Sequence, residues 1–164
     1  ALWRNNSLSA DFLANYWGTF FPAKDKKSPR QRSEIEDAVS YIANELLENA
    51  IKFSFNSEFS IRIGLYLSQN ELRFYVTNSV NPATVGKFKN HIMELLLGDP
   101  DELYISRLEK NADADMTGDS GLGFLTILND YDAELAWKFE IVRQEPEIIT
   151  VVTMVRLPVI RAEE

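Results

Sequence analysis

A chain of 164 residues is long enough for one domain around a single core and short for two, so one domain is expected. Hydrophobic residues make up 45% of it, the level of a folded globular chain rather than a disordered one, and no run approaches the ~18 apolar residues a membrane span needs. The absence of cysteine excludes disulfides, zinc–thiolate centres and thiol catalysis, and a formal charge of −8 argues against binding along a phosphate backbone, which needs a basic surface to displace counterions.

With neither a span nor a basic-then-apolar leader pattern, the expected compartment is the cytoplasm, with no nucleic acid and no membrane as partner. In chain order, "SLSADFLANYWGTFF" (7–21) places Leu8, Phe12, Leu13, Tyr16 and Phe20 at helical spacing, with Ser7 or Ser9 available to cap. Tyr16, Trp17, Phe20 and Phe21 are too many aromatics for an exposed face, which points to core packing or self-association as a homodimer. The polar "PAKDKKSPRQRS" (22–33) reads as a loop, and a long helix is predicted from about Ser33 to Phe53, with Ser33 and Glu36 in capping-box relation.

Two alternating runs, "FSIRIGLYL" (59–67) and "ELRFYVTNSV" (71–80), predict an antiparallel hairpin joined by "SQN". Helical patterns follow at 83–97 and 100–112, separated by Gly98, Asp99 and Pro100 as stop and restart signals. A polar segment then leads through "GDSGLG" (118–123) into a short helix, "FLTILNDY", and two closing strands turn near Glu145–Glu147. The order of elements predicts an α+β fold, a two-layer sandwich of helices over one mixed or antiparallel sheet.

Two stretches stand out chemically. In "NELLENAIKFS" (44–54), Val39, Ile42, Ala43, Leu46, Ala50 and Phe53 share one arc of the helix, and Glu45, Asn49 and Lys52 form a stripe beside it. A carboxylate, an amide and an ammonium group one turn apart at the border of a buried face are arranged like groups looking into a cleft. The alternative is a solvated helix side with a Glu48–Lys52 pair. In "GDSGLG", three glycines before a helix permit close backbone approach and leave the N–H groups of the helix start facing an anion, although a structural turn has the same composition. The segment matches neither the phosphate loop ending Gly-Lys-Ser/Thr nor the dinucleotide fingerprint, which must follow a strand.

Together and in this order, the two stretches resemble the nucleotide-binding domain of the GHKL superfamily, named for gyrase, a heat-shock chaperone, histidine kinases and MutL. "NELLENAIKF" looks like its N-box, "GDSGLGFLTILND" like its second glycine box, and "TVVTMVRLP" like the last strand of histidine kinases and anti-sigma-factor serine kinases. The resemblance covers roughly residues 36–158 and implies a Bergerat-type (HATPase) fold holding ATP and Mg2+ under a mobile lid. It divides the single domain into an N-terminal helix and loop (1–32), the N-box helix and hairpin (33–80), a lid region (81–120), and the glycine-box helix and C-terminal hairpin (121–164).

By that resemblance Asn49 is the magnesium ligand, Glu45 the general base and Lys52 a residue facing the phosphates. Gly118, Gly121 and Gly123 align with the family's glycines, with Leu122 between the last two. Ser120 fits a common hydroxyl position. Asp119 stands where a further glycine is frequent, and would either repel a phosphate or help hold the metal. The first glycine box departs from the family: Asn78 stands at the aspartate that accepts from the adenine amino group, and Val80 at its first glycine. An asparagine amide can still accept from that amino group.

The implied function is a bacterial protein kinase of the anti-sigma, partner-switching type, phosphorylating Ser or Thr of a small regulatory phosphoprotein. "YWGTFF" and "ELLENAIKFS" also look like stand-alone bacterial and cyanobacterial regulators of that group. Asn78, Val80 and Asp119 support the alternative, a degenerate pseudo-kinase acting as a protein-interaction regulator. A histidine-kinase catalytic domain is the third reading. The only histidine, His91, falls in the lid region and reads as an ordinary side chain rather than a phosphoacceptor. The acidic "NADADMTGD" does not make a calcium loop, because Met116 replaces the turn glycine and Leu122 the bidentate glutamate.

Overall fold

The computed structural model describes residues 29–68, 70–113 and 122–158. The aromatic helix predicted at 7–21 lies outside them. Four helices and four strands are described: α1 (Pro29–Phe53), β1 (Arg62–Leu67), β2 (Glu71–Val80), α2 (Val85–Leu97), α3 (Pro100–Asp113), α4 (Gly123–Tyr131), β3 (Glu134–Gln144) and β4 (Glu147–Pro158). The strands form one sheet in the order β1-β2-β4-β3, with every neighbouring pair antiparallel, so the sheet is not mixed. Helices pack on one face of it, giving the α+β two-layer architecture. Among the described residues no helix is long and apolar enough to cross a membrane.

The first helix is already formed at Pro29, four residues before the expected start, so Ser33 lies in its second turn and cannot cap it, and residues 29–33 are helix rather than loop. Proline suits the first helical position because the N–H it lacks would have no intrahelical partner there. From Ala38 on, the helix buries Val39, Ile42, Ala43, Leu46 and Ala50 against Leu72, Phe74 and Val76 of β2 and against Val155 and Leu157 of β4. The buried stripe ends one turn early. Phe53 is 51% exposed.

Strand alternation sorts the sheet's two faces. On β2, Leu72, Phe74, Val76, Asn78 and Val80 point inward, opposite Leu157, Val155, Thr153, Val151 and Ile149 of β4 in the antiparallel register. At the hairpin, Ser68 N–H donates to the Glu71 carbonyl and the Ser68 hydroxyl accepts from the Glu71 N–H. The strand expected from residue 59 starts at Arg62, because Asn56 organises a turn: its side chain accepts from Glu58 N–H and its carbonyl from Phe59 N–H.

Two fastenings fix the end of the sheet where the chemistry-bearing residues gather. Leaving α1, the chain donates from Phe55 N–H to the Ser79 carbonyl at 3.3 Å and from Asn56 N–H to the Ser79 hydroxyl at 2.8 Å. Leaving β2, Asn81 accepts from Ala83 N–H at 3.0 Å to start a short 3-10 turn, Pro82–Thr84, that feeds α2. The punctuation between α2 and α3 is as expected: Gly98 closes one helix and Asp99 caps the next, accepting from Asp101 and Glu102 N–H.

Candidate functional site

Between the helices and the sheet lies a cavity of about 440 Å³. Strand β4 forms its floor with Val151 and Thr153, and β2 continues it with Val76, Asn78 and Val80. Helix α1 stands over β2 and supplies Glu45, Glu48, Asn49 and Phe53. Helix α2 leans towards the other side, where Phe88 meets Phe139 of β3 edge-on with ring centroids 5.5 Å apart, and contributes Lys87 and His91. The start of α4 closes the remaining side with Gly123 and Phe124.

Of the residues singled out in the sequence, Glu45, Asn49, Asn78 and Gly123 meet around this one cavity. Leu122 sits immediately before α4, where its carbonyl accepts from Thr126 N–H at 2.8 Å and opens the helix, but it is not a lining residue. Lys52 is exposed, with Nζ 5.3 Å from the centre of the Phe53 ring, and is not among the residues that line the cavity. Gly118, Asp119, Ser120 and Gly121 lie outside the described residues. His91, expected to be an ordinary surface or half-buried side chain, is half-buried, with Nδ1 3.8 Å from the Glu94 carboxylate, and also lines the cavity.

Reading the sequence alone missed Thr84, Lys87 and Phe88 altogether. Their signal was present: 84, 87, 88 and 91 are spaced as one face of a helix, a pattern obscured because the segment was treated as a lid.

Asn78 is 4% exposed. Its side-chain N–H donates to the carbonyl of Ser79 at 2.9 Å. A carbonyl can only accept, so this contact settles which end of the amide is nitrogen and leaves the oxygen as the group with unused capacity. Asn78 is one of the residues that line the cavity. An acceptor in such a place calls for a ligand that brings an N–H or O–H donor.

At the crossing of α1 and α4, the Glu45 carboxylate lies where a side chain on Gly123 would go, so any larger residue there would push the carboxylate, the far end of a flexible side chain, out of its present position. The first-turn N–H groups of a helix have no intrahelical partners and carry a positive partial charge, which favours a carboxylate or a phosphate beside them. One turn before Glu45, Tyr41 packs on Tyr131 with ring centroids 5.5 Å apart. Burial pushes the Tyr41 hydroxyl above its ordinary pKa, partly offset by neighbouring Thr126 and reinforced by the negative charge of Glu45.

Among the described residues no group of three or more His, Asp or Glu side chains could cage a metal. A hard cation held by the Asn49 amide oxygen and by a ligand's own oxygens needs no such cage, which is the way magnesium is usually bound.

No family model matches the sequence, and neither does any curated protein. Among solved structures, the chain is similar to the catalytic domain of the histidine kinase ThkA in a nucleotide-free form, at 17% identity and a TM-score of 0.39, over 75% of this chain and 67% of that one. It is also similar to the mycobacterial sensor histidine kinase MprB, at 17% identity and a TM-score of 0.40, over 75% of this chain and 73% of that one. Likenesses this distant carry no residue roles across, which rest on the chain's own geometry.

Proposed function

We propose that the cavity binds ATP with Mg2+ and that the protein is a cytoplasmic regulatory kinase of the GHKL superfamily, phosphorylating Ser or Thr of a small regulatory protein in an anti-sigma, partner-switching arrangement. The observation that carries this reading is the meeting of Glu45, Asn49, Asn78 and Gly123, from three elements far apart in sequence, around one cavity. The Asn78 oxygen accepts from the exocyclic amino group of adenine, the role the superfamily gives to an aspartate. Asn49 presents an amide oxygen to the metal. The N–H groups at the start of α4 face phosphate oxygens. Glu45 takes the proton of the attacking hydroxyl. Magnesium held with the nucleotide beside Asn49 would supply charge neutralisation at the phosphates.

One observation favours a second reading, a pseudo-kinase that regulates by protein contact alone. Val80 is 4% exposed and on the cavity floor, where the superfamily has a glycine, and a stiff β-branched side chain there takes up volume the ligand would use.

Calorimetric titration with Mg-ATP and Mg-GTP separates the two. The kinase reading expects magnesium-dependent binding that prefers ATP, because guanine presents a carbonyl to the Asn78 oxygen where adenine presents an amino group. Asn49→Ala is expected to abolish the magnesium dependence, and Glu45→Ala to keep binding while losing phosphoryl transfer to the partner. No heat at millimolar nucleotide would leave the interaction module.

A further inference from the structure

A polyphosphate needs a cation in the cavity that receives it, and Lys52 does not line that cavity: it is exposed, and its ammonium group lies 5.3 Å from the centre of the Phe53 ring at the cavity edge. The basic side chains that do line the cavity are Lys87 and His91, one turn apart on α2. Among the described residues no carboxylate pairs with Lys87, whereas Lys89, two positions on, sits 5.1 Å over the Phe139 ring and does not line the cavity. His91 supplies a ring N–H donor in either protonation state.

The placement of charge around the cavity is two-sided. Helix α1, over β2, carries Glu45, Glu48 and Asn49, and α2, packed towards β3 through Phe88 and Phe139, carries Lys87 and His91, with β4 as the floor between them. Such a cleft suits a ligand that is itself two-sided, a metal cation paired with a phosphate chain: the carboxylate and amide wall faces the cation, the ammonium and imidazole wall the phosphate oxygens.

We propose that Lys87, supported by His91, makes the cationic contact to the phosphate oxygens of the ligand, in place of Lys52. This rests on the nucleotide reading of the cavity. It makes α2, rather than the C-terminal turn of α1, the element that holds the phosphates.

The test is calorimetry on the whole chain with three probes, Mg-ATP, adenosine and Mg-pyrophosphate, on wild type, Lys87→Ala, Lys87→Arg, His91→Ala and Lys52→Ala, after thermal melts show that each variant folds. Losing a charged hydrogen bond is expected to weaken Mg-ATP by about tenfold or more in Lys87→Ala, and less in His91→Ala. Adenosine affinity is expected to be unchanged, Lys87→Arg to retain binding, and Lys52→Ala to stay within about twofold of wild type.

The proposal is overturned if Lys87→Ala binds Mg-ATP like wild type, or if it loses adenosine as much as ATP, which would mean that the side chain only packs. If Lys52→Ala loses Mg-ATP and Lys87→Ala does not, the nucleotide reading stands and this assignment falls. If wild type binds Mg-pyrophosphate through Lys87 but no adenosine or ATP, the anion site stands and the nucleotide reading falls. If it binds none of the three, both fall.

Discussion

At Gly123 the space a side chain would need is taken by the Glu45 carboxylate, the far end of a flexible side chain from α1. Gly123→Ala must therefore displace Glu45 or shift the start of α4. Because a carboxylate at the end of a flexible side chain can swing aside, stability in urea unfolding is expected to stay within about 1 kcal/mol of wild type. In a Glu45→Ala background no carboxylate has to move, so a double-mutant cycle should report a small coupling, about 0.5 kcal/mol, between the two positions. Additive effects would mean that the glycine answers to something other than Glu45. Asn78 makes a parallel point: the Ser79 carbonyl, by engaging the amide nitrogen, turns an ambiguous side chain into an acceptor.

Helix α1 does two jobs with two adjacent stripes. Its apolar stripe, from Val39 to Ala50, holds it on the sheet, and the neighbouring stripe brings Glu45 and Asn49 to the cavity. The two effects separate by mutation. Ile42→Ala removes a fully buried side chain and is expected to destabilise by about 2–5 kcal/mol in chemical denaturation, the cost of lost burial plus a partly relaxed cavity. Its ligand affinity, measured where the variant is still folded, should be close to wild type. A stability loss well under 1 kcal/mol would show that this part of the core can collapse around the gap. The C-terminal turn of the helix is held differently, by backbone hydrogen bonds from residues 55 and 56 to Ser79, and so Phe53 can stand at the cavity edge rather than in the core.

Across the whole molecule the sheet separates two environments. One face carries the core and the cavity; the other carries an ionic cluster that ties three strands together. Glu71 of β2 contacts Arg73 of the same strand and Arg156 of β4, and Arg156 reaches Glu134 of β3 at 2.8 Å. The hydrogen bond from Arg156, with Arg73 beside it, holds the Glu71 carboxyl below its usual pKa. A carboxyl whose folded pKa is depressed stabilises the fold above its unfolded value, about 4.3 for glutamate, and that contribution is lost as pH falls through the lower folded value. Melting temperature should therefore drop on the acid side of that window, and Glu71→Gln should flatten this limb. An unchanged acid limb in the variant would show that other carboxylates govern acid unfolding.

What the sequence by itself determined were the features written in local periodicity and punctuation: the amphipathic stripe of α1 with Glu45 and Asn49 beside it, the two hairpins, the break at Gly98 and Asp99, and the glycine-rich entry to α4 at Gly123, whereas Asn78 came only from the family resemblance. These are legible because alternation, helical spacing and capping chemistry act between residues a few positions apart. The start of α1 was misplaced because a proline and a polar run look like a loop until the helix behind them is known to be anchored. Only the tertiary structure decided which side chains share the cavity: it brought in Lys87 and His91, left Lys52 off its lining, and engaged the Asn78 amide nitrogen with the Ser79 carbonyl. Those outcomes depend on how α2 leans across β4 towards β3 and on which carbonyl lies next to an amide. Contacts of that kind, between segments distant along the chain, follow from packing and leave no periodic trace in the order of residues.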